Sequence, residues 1–339
     1  MKLTFSVFNL KRKYPFNISG YTFIEEPVLY VQLEHEGVIG YGEGSPGYYF
    51  DETIETAQEF VSSLDLSTFK DPLKTAEILD YVQHKAPGFT ASKAAVDVAL
   101  HDLVGKLTGK PVYSLFGSDP AKMPETTLTI GMDTPEMVRK KVREASDFKR
   151  IKVKLGGPND RGIVEAIRQE TQVPITVDAN QGWTDRHEAL DLVHWLHEQN
   201  TLFIEQAMPK TDPDGNAWLT QHSPLPTVGD EAVLNVDDVP KAKGVYDGVN
   251  IKLVKCGGIE QGHRIVKKAR ELDLKLMIGC MGESSVGILG AAAIAPQCDW
   301  VDLDSTWLFS NNPYADPTLV DGRIILSDEP GLGLKKKPN

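Results

Sequence analysis

The sequence predicts an α/β chain in which an N-terminal α+β unit precedes a closed parallel barrel of eight strands and seven intervening helices. Three observations carry this expectation. From Thr126 onward, eight short β-like runs recur at intervals of about 20–25 residues, with helix-like segments between them, the rhythm of βα units. No G-x-G-x-x-G loop follows any of these runs, which argues against an open, doubly wound nucleotide-binding sheet. At 339 residues the chain is long enough for one large α/β unit and a smaller companion.

The elements follow in order. LTFSVFNL alternates as a half-buried strand does, and VLYVQLEHEG and VIGYGEG read as two strands around a turn at Gly37. Segments 51–61, 71–83 and 90–108 read as helices. The last has Thr90 or Ser92 as its cap, apolar residues at helical spacing and Gly109 as its stop. These elements form an α+β unit over residues 1–115. The barrel, over 116–305, takes its strands from TTLTIGM, RIKVKLG, PITVDAN, TLFIEQ, PTVGDE, GVNIKL, LKLMIGC and DWVDLD. Its clearest helices are 134–147, 160–171, 185–199, 259–272 and 285–295. The tail, 306–339, is turn-rich with one short strand, RIILS, and is expected to return to the N-terminal unit.

Composition narrows the function classes. Basic residues number 36 and acidic residues 48, a net charge of −12 that repels phosphate backbones and anionic lipid, so neither nucleic acid nor membrane is an expected partner. Cys256, Cys280 and Cys298 are few, odd in number and unpatterned, as in a reducing, cytoplasmic setting. No apolar run approaches the ~18 residues of a membrane span.

In a parallel barrel, chemistry gathers at the C-terminal ends of the strands, and here those ends are ionic. Strand two ends with Lys152 and Lys154, strand three with Asp178 and Asn180, strand four with Glu205 and Gln206. Strand five ends with Asp230 and Glu231, strand six with Lys252 and Lys255, strand eight with Asp302 and Asp304. Asp178, Glu205 and Asp230, on three adjacent strands, offer hard oxygen ligands without His or Cys, a set that suits Mg²⁺. Salt bridges to the lysines are the alternative use. Lys154 and Lys252 fall nearly opposite each other across an eight-stranded ring, one amine for each face of a bound substrate. Strand alternation puts Lys152 on the side of Lys154, where its like charge, together with the nearby metal, is expected to lower the Lys154 pKa towards that of a working base.

These residues resemble a family. K-V-K, D-A-N, E-Q, G-D-E and N-I-K-L-V-K-C-G-G at successive strand ends, with TASKAAVDVALHDLVGKLTGKPVYSLFG in the cap, look like the muconate-lactonising subgroup of the enolase superfamily. The resemblance implies an N-terminal α+β cap over a modified (β/α)7β TIM-type barrel, one Mg²⁺ per subunit on Asp178, Glu205 and Asp230, and acid/base roles for Lys154 and Lys252 assisted by Lys152. Asn180 and Glu231 would stand next to the metal. The D-x-D of Asp302 and Asp304 is similar to that of the dipeptide epimerases, where it holds the substrate's α-ammonium. The alternative is a D-x-D that only closes the barrel rim.

The expected activity is therefore epimerisation of the C-terminal residue of an L-Ala-D/L-Xaa dipeptide, a small-molecule substrate. Relatives acting on Ala-Glu, a fragment of cell-wall peptide, carry an arginine in the cap loop. Here PFNISGYTF holds no basic residue between Lys13 and Phe23. Tyr21, Phe23, Tyr48, Tyr49 and Phe50 would line an apolar pocket, or else pack inward. Cys280, Met281 and Gly282 are expected to face the substrate, with Gly282 leaving room for a sizeable side chain. Glu283 is read either as a charge at the pocket or as a helix cap. The expectation leans to an uncharged or hydrophobic Xaa. L-Ala-D/L-Glu epimerase, N-acylamino acid racemase and o-succinylbenzoate synthase remain alternatives, as does a non-catalytic binding barrel, and self-association into a homo-oligomer is left open.

Overall fold

The computed structural model describes residues 1–47 and 51–337. The chain opens with a three-stranded antiparallel sheet in the order β1 (Lys2–Ile18), β2 (Tyr21–His35), β3 (Val38–Gly44). The β2–β3 turn falls at Glu36 and Gly37, with φ of 51° and 80°, the backbone that tight hairpins require. Register between β1 and β2 breaks between the pairs Lys11–Glu25 and Phe16–Phe23, leaving residues 12–15 in a bulge that contains Pro15.

Three helices cover this sheet: α1 (Ile54–Ser62), α2 (Thr75–His84) and α3 (Thr90–Thr108). The last is buried almost throughout. Its close approach to β3 depends on glycine. Gly40, Gly42 and Gly44 lie on one face of the strand, and a Cβ at Gly42 would come within 1.9 Å of the Ala95 carbonyl oxygen. Neither Thr90 nor Ser92 caps α3 as expected. Phe89 is the N-cap residue, and the Glu52 carboxylate accepts from the amides of Ala91 and Ser92, each at 3.0 Å. A carboxylate from outside the helix serves the orphan amides better than a local hydroxyl, because it also meets the positive end of the dipole.

After α4 (Val112–Leu115) the chain enters an eight-stranded parallel sheet. Its strands are β4 (Leu128–Ile130), β5 (Ile151–Lys154), β6 (Ile175–Asp178), β7 (Thr201–Glu205), β8 (Thr227–Gly229), β9 (Gly248–Ile251), β10 (Lys275–Gly279) and β11 (Trp300–Asp302), in sequence order across the sheet. The helices between them are α5 (Pro135–Glu144), α6 (Asp160–Arg168), α7 (Arg186–Glu198), α8 (Pro213–His222), α9 (Val239–Ala242), α10 (Leu253–Cys256), α11 (Ile259–Glu271) and α12 (Ser285–Ala292). Side chains draw the first and last strands together. Thr127 Oγ1 donates to Asp302 Oδ1 at 2.6 Å, Leu303 N to Thr126 Oγ1 at 2.9 Å, and Thr129 N to Asp304.

Alternation along the strands separates two interiors. Ile151, Val153, Ile175 and Val177 point outward into the helix layer, whereas Lys152, Lys154, Thr176 and Asp178 point into the barrel. An apolar plug of Phe203, Val228 and Met277 fills the barrel elsewhere. The tail forms a two-stranded hairpin, β12 (Leu319–Val320) and β13 (Arg323–Ile324), then runs beside the cap, where Leu332 N donates to Asp102 Oδ1 at 2.7 Å. No helix among the described residues is long and apolar enough to cross a membrane. Gly42→Ala, which forces a methyl into the Ala95 carbonyl, should destabilise the protein by about 3 kcal/mol, read as a lower urea midpoint.

Candidate active site

The ionic strand ends meet at one end of the barrel, and a cavity of about 350 Å³ opens there between barrel and cap. From the barrel, Lys152, Lys154, Lys252, Asn180, Asp302 and Asp304 face it, with Cys280, Met281 and Gly282 from the loop after β10. From the cap come Arg12, Phe16, Phe23 and Glu26.

Behind the lysines lies a layer of buried carboxylates. Lys154 Nζ donates to Asp178 Oδ2 at 2.6 Å and Lys252 Nζ to Asp230 Oδ2 at 2.7 Å. Lys152 Nζ lies 2.7 Å from Asp302 Oδ2, 2.7 Å from Glu205 Oε2 and 3.2 Å from Asp178 Oδ2. Lys255 is on α10 rather than on a strand. Its ammonium donates to Asp230 Oδ1 at 2.6 Å and to the carbonyls of Asp230, Val233 and Asn250, so it fixes Asp230 and stays away from the main cavity.

These contacts set the proton affinities. Burial pushes Asp178 up, but Lys154 and Lys152 outweigh it and hold the carboxyl at about 2. Asp230 is likewise pulled down, by Lys252 and Lys255 against its burial. Glu205 goes the other way, raised to about 7 by burial and by Asp178, and Glu231 also reaches about 7 through burial and Asp230. Two of the lysines follow the same balance. Burial does lower Lys252 and Lys152, yet Asp230 and Glu205 around the first, and Asp302, Glu205 and Asp178 around the second, reverse the sign and raise both. Like-charge repulsion between neighbouring lysines is a minor effect beside direct ion pairs.

Among the described residues, no three His, Cys, Asp or Glu side chains are already drawn around one point as a metal shell. Each carboxylate of the expected triad instead holds an ammonium. The donor chemistry nonetheless fits a hard dication. The buried oxygens Glu205 Oε2, Glu231 Oε2, Asn180 Oδ1 and Asn250 Oδ1 make no hydrogen bond, and Glu205 Oε2 approaches Lys152 as an ion pair only. Buried oxygens without a hydrogen bond, Glu231 Oε2, Asn180 Oδ1 and Asn250 Oδ1, beside a carboxylate that shares one lysine with two others, call for a further cation.

At the seam, Asp302 is engaged by Lys152 and Thr127. Asp304 accepts from the Thr129 amide, and the Cys280 thiol lies 3.9 Å from its Oδ1. Burial and the neighbouring Asp302 raise Asp304 to about 6. Asp302 thus ties the barrel seam, and Asp304 lines the cavity beside it.

Other expectations change. Gly282 leaves no room for substrate, because Glu26 Oε2 lies 1.1 Å from where its Cβ would be. Tyr21 is 49% exposed and stacks on Phe23, which faces the cavity. Tyr48, Tyr49 and Phe50 lie outside the described residues. Glu283 is buried and accepts from Met281 N at 2.9 Å, while Ser284 caps α12. Sequence reasoning passed over Arg12 and Glu26, which meet only through the fold. It also missed Asn250, whose amide donates to Glu205 Oε1 at 2.7 Å, and gave no role to Gln206, which accepts from Asp230 N at 2.9 Å.

Residues 2–117 match the mandelate racemase/muconate lactonizing enzyme N-terminal domain, and residues 136–338 the enolase C-terminal domain-like family. The chain is 46% identical to the L-Ala-D/L-Glu epimerase of Bacteroides thetaiotaomicron over 99% of its own length and 88% of that protein's. It is 36% identical to the L-Ala-D/L-amino acid epimerase of Pedosphaera parvula, covering 90% of this chain and 89% of the relative. Among solved structures, the dipeptide epimerase of Enterococcus faecalis V583, complexed with Mg and the dipeptide L-Leu-L-Tyr, superposes with a TM-score of 0.89 at 29% identity, covering 98% of each chain.

Burial lifts the Glu283 carboxyl from 4.5 to about 8, helped by the nearby Glu43 charge. Across that window the native state holds a proton that the unfolded chain has lost, so stability falls as pH rises. Glu283→Gln should remove this slope, at most about 1.4 kcal/mol per pH unit, seen as urea midpoints that diverge in the variant's favour between pH 5 and 8.

Proposed function

The chain belongs to the enolase superfamily, and on that premise we propose that it is a Mg²⁺-dependent dipeptide epimerase that inverts the C-terminal residue of its substrate. The observation that supports this best is the shared cavity: two lysines from strand ends well apart on the sheet, Lys154 on β5 and Lys252 just past β9, face the same space as Asp302 and Asp304.

The roles follow from charge and position. Asp178, Glu205 and Asp230 would hold the magnesium, which when bound would draw in the substrate carboxylate, stabilise negative charge on it and relieve the carboxylates' pull on the lysine protons. Asp304, backed by Asp302, takes the dipeptide's α-ammonium through charge-assisted hydrogen bonds. With the two ends of the substrate so held, the C-terminal Cα lies between the lysines. One Nζ, as the neutral amine, removes the Cα proton, and the opposite Nζ, as the ammonium, delivers its own proton to the other face. The configuration inverts, and the two lysines exchange protonation states. Lys152 stays an ammonium in its three ion pairs and keeps Asp178, Glu205 and Asp302 in place. An N-acylated amino acid would bring no cation to Asp304 and leave a buried carboxylate without its partner.

The test is α-hydrogen exchange in D₂O with Mg²⁺, on L-Ala-L-Leu, L-Ala-D-Leu and the corresponding N-acetyl amino acids. Free dipeptides should exchange and N-acetyl substrates should not; the reverse pattern refutes the assignment. Lys154→Ala and Lys252→Ala should each lose about 10²–10⁴-fold in rate, with exchange blocked preferentially from opposite stereoisomers and circular dichroism unchanged. Chelation by EDTA should abolish exchange, and added Mg²⁺ should restore it.

A further inference from the structure

The epimerase reading assigns both ends of the dipeptide and the carbon between the lysines, but not the side chain of the inverted residue. On the cap side of the cavity stands a charged pair that the reaction does not use. Arg12 lies in the β1 bulge, where the side chain leaves the sheet's alternation. Its guanidinium carbon is 4.5 Å from the centre of the Phe16 ring and 4.4 Å from that of Phe309. Nε donates to Glu26 Oε1 at 2.8 Å, and Nη2 donates to the same oxygen. The pair is nearly closed to water, with side-chain exposures of 6% and 14%, yet both residues face the cavity that holds Lys154 and Lys252. The other Glu26 oxygen fills the space a side chain at Gly282 would need, so the loop after β10 is shaped to admit this carboxylate.

We propose that Arg12 and Glu26 are the side-chain selector of this site, Glu26 masking Arg12 so that the cavity wall carries no net charge at that point and favours an uncharged side chain on the inverted residue. The inference rests on the dipeptide-epimerase reading and supplies its substrate class. An acidic side chain would have to take Arg12's donors from Glu26 and strand that carboxylate in a buried place. A basic side chain would have to take Glu26 and strand Arg12. Breaking a buried pair from one side is costly in either direction. An apolar side chain disturbs neither and meets Phe16, Ile18, Phe23 and Met281. Glu25, also at the cavity, is exposed and screened by solvent.

The experiment compares exchange in D₂O with Mg²⁺ on L-Ala-L-Leu, L-Ala-L-Glu and L-Ala-L-Lys for the unmodified enzyme, Glu26→Gln and Arg12→Gln. The unmodified enzyme should have its highest kcat/KM on the leucine dipeptide. Glu26→Gln should raise the Glu-to-Leu ratio of kcat/KM by about tenfold or more, and Arg12→Gln the Lys-to-Leu ratio by a similar factor. Unmoved ratios in folded, active variants overturn the selector. So does faster exchange of L-Ala-L-Glu than of L-Ala-L-Leu by the unmodified enzyme, a result that needs no variant to fold. Exchange of no dipeptide at all by the unmodified enzyme refutes the epimerase reading and this inference with it.

Discussion

The barrel's catalytic end is built around buried charge that does not balance. Asp178, Glu205, Asp230, Glu231, Asp302 and Asp304 are all buried, against the ammonium groups of Lys152, Lys154, Lys252 and Lys255. Two negative charges are in surplus, and a low-dielectric interior does not tolerate that. The surplus shows as proton affinity: Glu231 and Asp304, which pair with no lysine among the described residues, and Glu205, which shares Lys152 with Asp178 and Asp302, are lifted to between about 6 and 7. A dication at the triad would cover the same deficit, and a substrate ammonium at Asp304 would add to it. The site is thus shaped to need cations, and the lysines that hold its carboxylates apart are the groups proposed to move protons.

Such a site works only if the cap is held in register above it, and buried carboxylates do this as well. Glu43, on β3, accepts from the amides of Ser284 and Gly287 at the start of α12, at 2.7 and 3.0 Å. Asp97, on α3, accepts from the amide of Ile259 at the start of α11, at 2.6 Å. Each joins a cap element to the positive end of a barrel helix, and helices that follow strands begin at the catalytic end. The close seating of β3 on α3 carries the same alignment into the sheet, whose strand β1 brings the bulge and its Arg12 to the cavity.

How much of this was legible in the sequence depended on the range of the interaction. The strands and most helices were readable because periodicity is local, and the ionic strand ends were readable because a barrel collects consecutive strand ends at one rim. α8 (Pro213–His222) is not among the helices named from the sequence, although a Pro in the first helical turn marks its start. Lys255 looked like a strand-end base because its short helix begins within two residues of the strand. Arg12 and Glu26 carried no sequence signal. They lie on different strands, and only the register break between Lys11 and Phe16 aims them at each other. Gly282 was misread for the same reason, since the group that fills its space comes from residue 26.

The D-x-D shows why strand-end chemistry and barrel closure are not separate problems. Asp302 accepts from Thr127 across the β4–β11 seam and from Lys152 within the charge network, so it is one point at which fold and site are the same contact. Asp304 ties the same seam through the Thr129 amide and also lines the cavity. Removing either carboxylate would open the seam and disturb the site together, and lost activity alone could not say which had failed. The Arg12–Glu26 pair is different, because it belongs to the cap and bonds to none of the catalytic residues. A fold that fixes its chemistry in the barrel while keeping selectivity on a separately anchored cap can change what it accepts without changing how it reacts.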